Sequence, residues 1–118
     1  MYNPTRNPSL RRLVTLNLFW LLLAGWHQTA GAAMVTRGPY LQMGTPTSIV
    51  VRWRTDTSTD SRVRYGSAPG SLTSFADNVT ATTEHEVNVT GLASDALYYY
   101  SVGTSTATLA GGDTSYFF

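Results

Sequence analysis

The stretch Ser48-Ile49-Val50-Val51-Arg52-Trp53-Arg54-Thr55 decides the fold class. Successive side chains of an extended chain point to opposite faces, so Ile49, Val51 and Trp53 share one face and Val50, Arg52 and Arg54 the other. An apolar face backed by arginines is what a half-buried antiparallel strand carries. The same period continues outward. Val63 and Tyr65 alternate with Arg62 and Arg64, and Val87 and Val89 with Glu86, Asn88 and Thr90. Tyr98, Tyr100 and Val102 alternate with Leu97, Tyr99 and Ser101. From Met34 to Phe118 no apolar set recurs at the helical period, so no helix is expected there. Turn-forming breaks fall at Gly44–Pro46, Asp56–Ser61, Gly66–Gly70, Gly91–Asp95 and Gly111–Asp113. With further strands at Gly38–Gln42, Leu72–Asp77 and Ser115–Phe118 the expected architecture is an all-β, seven-stranded antiparallel sandwich. Its expected core is Val51, Trp53, Val63, Tyr65, Val87, Val89, Leu92, Tyr98, Tyr100 and Val102.

The chain has 118 residues, room for one small domain, which excludes dinucleotide folds, (β/α)₈ barrels and large sandwich enzymes. Its eight basic residues are all Arg, so lysine-dependent phosphate loops and Schiff-base chemistry are excluded. The absence of Cys excludes thiolate nucleophiles, zinc fingers and disulfides. Arg6, Arg11 and Arg12 precede an apolar run of 14 residues, Leu13–Trp26, and Ala30-Gly31-Ala32 follows. This is the layout of a secretory signal over residues 1–33, with cleavage after Ala32 or Ala33. At about 21 Å as a helix, the run falls short of a bilayer core of about 30 Å. No stable membrane span is therefore expected after cleavage, and the protein is expected to be exported, secreted or periplasmic. Residues 34–118 form the mature domain, with 5 Arg against 7 Asp and Glu, a net charge of −2. That charge removes the electrostatic basis for a nucleic-acid partner.

Two details narrow the sandwich. Trp53 stands on the second strand, and Gly91-Leu92 is followed by Tyr98, the spacing of a tyrosine corner. The domain thus resembles a fibronectin type III, immunoglobulin-like sandwich. Arg37-Gly-Pro-Tyr-Leu-Gln42, Thr45-Pro-Thr-Ser-Ile-Val-Val-Arg-Trp53, Arg64-Tyr-Gly66 and the run from Leu92 to Tyr-Tyr-Tyr-Ser-Val-Gly103 narrow it further. Together they resemble the N-terminal domain of purple acid phosphatases over nearly all of residues 35–118. Ser94 and Ala96 depart from that pattern, standing where the family carries Pro and Thr.

The resemblance implies a non-catalytic accessory domain whose partner is a C-terminal metallophosphoesterase domain. That domain would hold the dinuclear centre, one iron and one divalent metal, and hydrolyse phosphate monoesters. This chain itself is then expected to have no cofactor and no catalytic, cofactor-binding or metal-ligating residue. One string tests the expectation, because Gly112-Asp113-Thr114-Ser115-Tyr116 spells a Gly-Asp-x-x-Tyr motif that in the catalytic domain supplies a bridging carboxylate and a tyrosinate. Two metals need about six protein ligands, and the mature chain has one histidine, His85, which favours a plain turn into the last strand. Glu84, His85 and Glu86 are adjacent on a strand and cannot converge on one ion.

The remaining features read structurally. In a type III arrangement Arg52 and Arg54 face Glu84 and Glu86 across strands, and Arg62 or Arg64 covers Tyr99. Asn78-Val-Thr80 and Asn88-Val-Thr90 are N-glycosylation sequons, usable in a eukaryotic source. Because Phe117-Phe118 falls inside the expected seventh strand, the domain reads as truncated at its C-terminal end. A free-standing extracellular adhesion or recognition module is the alternative function.

Overall fold

Val51 and Val63 are both fully buried, and they lie on one strand. In the computed structural model, which describes residues 32–118, the strands are β1 Val35–Thr45, β2 Ser48–Gly66, β3 Ser74–Val89, β4 Tyr99–Gly103 and β5 Thr108–Gly111. Five strands thus replace the seven expected. The Val51 and Val63 runs are halves of β2, and the Leu72–Asp77 and Glu86–Thr90 runs fall largely within β3. The segment Asp56–Ser61 is not a break. Its Thr residues are β-branched and keep the backbone extended, while the turn-favouring Asp and Ser are accommodated by register shifts between Arg54 and Ser61.

At that irregular stretch the antiparallel sheet doubles back on itself. The first half of β2 pairs with β1 and with the C-terminal half of β3, where Arg52 lies opposite Glu86. Its second half pairs with the start of β3, where Arg62 lies opposite Asp77, and with β4, where Val63 lies opposite Val102. The two halves supply the two layers of a sandwich. Val51, Trp53, Val87 and Val89 from one layer and Val63, Tyr100 and Val102 from the other share a single core, closed by Leu92. Tyr65 and Tyr98, expected inside, are half-buried and pack against it.

Ser115–Phe118 is not the last strand. That place belongs to β5, which pairs Ser101 with Gly111 and Val102 with Ala110. Gly111 and Gly112 take φ of +84° and +90°, open to glycine at little cost, and the chain leaves the edge of β4 there. It returns at Tyr116, whose carbonyl accepts from Tyr100 N–H at 3.0 Å, and Tyr98 and Phe118 exchange two main-chain bonds of 2.9 Å. Tyr116 and Phe118 face the core and Phe117 faces solvent, as the alternation requires. The corner forms as the spacing predicts, with Ala93 N–H donating to Tyr98 Oη at 2.9 Å. Ser94 and Ala96 are exposed and take no part in that bond.

On the outer faces Arg52 meets Glu86 at 2.8 Å, and Arg54 meets Glu84. Neither Arg62 nor Arg64 is found over Tyr99. Arg62 grips Asp77 with Nε and Nη2, both at 2.7 Å, and its guanidinium lies 4.0 Å from the Phe75 ring centre. Arg64 donates to the carbonyls of Thr104 and Ser105. The register explains the difference, because Tyr99 sits opposite Gly66 at the end of β2 and is met instead by Phe117, edge-on at 6.4 Å.

Candidate functional site

The Gly112–Tyr116 string is built as a turn. Asp113 is exposed, and its Oδ1 accepts from Ser115 N–H at 2.8 Å, holding the excursion between Gly112 and Tyr116. Tyr116 points the other way, into the core, where its ring meets Tyr100 edge-on at 5.9 Å. A carboxylate turned to water and a phenol turned inward do not converge on one ion. Among the described residues no three His, Asp or Glu side chains gather as a metal would require. The residues present do not fit a dinuclear centre.

His85 occupies a different kind of site. Its position shares the parity of Val87 and Val89, and it is 1% exposed. Trp53, directly across the ladder, stacks on it with centroids 4.8 Å apart and planes 8° from parallel. Both ring nitrogens are used, Nδ1 lying 2.7 Å from Ser61 Oγ and Nε2 lying 2.7 Å from Thr55 Oγ1. Thr55 in turn donates to the Thr57 carbonyl at 2.7 Å. With that proton committed, Thr55 Oγ1 accepts from Nε2–H, and Nδ1 accepts from the Ser61 hydroxyl. Burial pushes the His85 pKa below its ordinary 6.5, against the opposing pull of the Asp60 and Glu84 carboxylates.

The Ser61–His85 pair therefore has the separation of a nucleophile and its base. Each is 1% exposed, so no substrate reaches either. The adjacent Glu84 and Glu86 face outward and are held by Arg54 and Arg52. Sequence reasoning missed this polar centre although the signal was present. Thr55 shares the parity of Trp53, and Ser61 shares that of Val63. Polar residues in register with core positions were the cue.

The other expected positions are dispersed. Asn78 is exposed near the β3 bend, accepting from Thr80 N–H at 3.1 Å and donating to the Glu86 carbonyl at 3.4 Å. Asn88 is exposed on the outer face, opposite Val50. Ala32, the expected cleavage position, is exposed shortly before β1, and the rest of the expected signal through Gly31 lies outside the described residues. Among the described residues no helix is long and apolar enough to cross a membrane. An open groove of about 210 Å³ runs between the β1–β2 turn and the corner, walled by Pro46, Ile49, Leu92, Tyr98 and Phe118 with Asp95 as its acid. One carboxylate among apolar walls offers no acid–base pair for catalysis.

Comparison with known proteins bears on the same stretch of chain. No curated protein and no solved structure matches it significantly. The family described as "Purple acid Phosphatase, N-terminal domain" matches residues 37–117. That span runs from the cis Gly38–Pro39 bond in β1 to the segment that rejoins β4. Its sandwich, its tyrosine corner and this match together place the chain in the purple acid phosphatase N-terminal domain family.

Proposed function

We propose that the protein is a non-catalytic accessory domain of an exported metallophosphoesterase of the purple acid phosphatase type. Phosphate monoester hydrolysis would belong to a C-terminal partner domain carrying the iron and the divalent metal. The observation that carries the reading is the family match over residues 37–117, in a domain whose one histidine is sealed between Ser61 and Thr55. Asp113 and Tyr116, the residues that spell a metal motif, are spent on a turn and on the core. The domain's contribution is then a rigid packing surface, stiffened by the doubled sheet and by the return of Tyr116–Phe118 to β4. Export rests on the expected signal at residues 1–33 and is tested by the mass of the mature protein, which should begin at Ala33 or Met34.

The coding sequence downstream of Phe118 tests the proposal. The expected finding is a Gly-Asp-x-Gly turn, a further Gly-Asp-x-x-Tyr, a Gly-Asn-His and a Gly-His-x-His, which together supply the metal ligands absent from this domain. A stop codon or a run of further sandwich repeats would point to a free-standing recognition module instead.

A further inference from the structure

We infer that His85 is an acid-sensitive latch, whose neutral ring ties Thr55 to Ser61 across the bend of β2 and whose protonation lets that bend open. The chain of bonds has one direction, from Ser61 O–H to Nδ1, from Nε2–H to Thr55 Oγ1, and from Thr55 O–H to the Thr57 carbonyl. Every polar atom in it is satisfied while the ring is neutral. The residues it joins bracket the irregular stretch between Arg54 and Ser61, where the ladder with β3 is least regular. Few cross-strand pairs hold that stretch, so the side-chain bridge carries more of the work there than in the regular halves of β2.

A proton arriving from solvent has only Nδ1 to occupy. Ser61 must then turn its oxygen to the ring, and its own hydrogen is left without a partner among the described residues. The resulting cation is buried. The charged groups that reach it are Asp60 on β2 and Glu84 on β3, and both favour the imidazolium, as does the face of Trp53. Neither carboxylate is bonded to the ring: Asp60 accepts from Ser105 N–H at 3.2 Å, and Glu84 is paired with Arg54. Burial outweighs them, so the folded ring resists protonation that the open ring accepts at its ordinary 6.5. The open form binds more protons below that value, so the closed form loses population as pH falls. The loss is about tenfold per pH unit below 6.5, down to the pKa of the closed form.

Amide hydrogen exchange of the full chain between pH 7.5 and 5.0, corrected for the intrinsic pH dependence, reads the latch. The expected result is an opening equilibrium for Thr55–Ser61 that rises by up to about tenfold per unit below pH 6.5 and stays flat in His85→Gln. Asp56 and Asp77, whose carboxyls are also held low by their partners, are common to both proteins and cancel in the comparison. Parallel behaviour of wild type and variant would overturn the inference, as would bend amides that change no more than those of β4 and β5. Should His85→Gln fail to fold, the wild-type imidazole decides alone by NMR. A neutral ring protonated at Nε2, titrating below 6.5 together with the bend amides, supports the latch. A ring titrating at or above 6.5 refutes it.

Discussion

Trp53 is the largest of the fully buried side chains. It is 2% exposed, stacks on His85 and sits in the layer that carries Val51, Val87 and Val89. Removing its indole leaves a large void beside a polar centre, so Trp53→Ala should cost about 3–5 kcal/mol, read as a lowered urea midpoint. A midpoint that barely moved would place Trp53 outside the core. Tyr98→Phe removes one atom and one bond, the acceptor of Ala93 N–H, and should cost about 0.5–1.5 kcal/mol. Arg54→Ala breaks an exposed pair with Glu84 and should cost less than about 1 kcal/mol. The order Trp53, Tyr98, Arg54 is the prediction, and a double-mutant cycle of Arg54 and Glu84 separates pairing from packing. At this scale the sequence was readable, because eight of the ten expected core residues are buried. It failed at His85, Thr55 and Ser61, where composition suggested surface and position dictated interior.

Gly111 shows what decides the elements. Its φ of +84° would strain any side chain, and an added Cβ would meet the Tyr100 carbonyl oxygen at 2.7 Å. Gly111→Ala should therefore destabilise the domain by more than about 1 kcal/mol and loosen Tyr116–Phe118 from β4, seen as faster exchange of the Tyr98, Tyr100 and Phe118 amides. Unchanged exchange there would mean that the return to β4 does not depend on the glycine kink. The kink also explains why the last strand was misplaced. Aromatic alternation in Tyr116–Phe118 reads as a strand, whereas Thr108–Gly111 is too short to show a period and follows a Ser/Thr-rich connection. The merging of four expected strands into β2 and β3 has a related cause. Asp and Ser in Thr55–Ser61 have turn chemistry, yet the single Thr59–Thr82 pair with β3 and the burial of Thr55 and Ser61, both bonded to His85, keep the segment extended.

At the scale of the whole molecule the candidate site was readable mostly through where its candidate ligands fall along the strands. One histidine in residues 34–118, its neighbouring carboxylates on the opposite strand face and an isolated Gly-Asp-x-x-Tyr were the readable signs, and the geometry gives each of these residues a structural task. The hydrogen bonds that occupy them were not readable, since they depend on which halves of β2 and β3 face each other. The proposed accessory role requires that this member of the purple acid phosphatase N-terminal domain family carry no phosphatase chemistry of its own. Its most direct test is an assay of the purified full chain, loaded with iron and zinc, on a chromogenic phosphate monoester beside Asp113→Ala. The accessory role predicts no turnover and no tyrosinate-to-iron absorption in either protein; turnover in the parent that disappears in Asp113→Ala would overturn it.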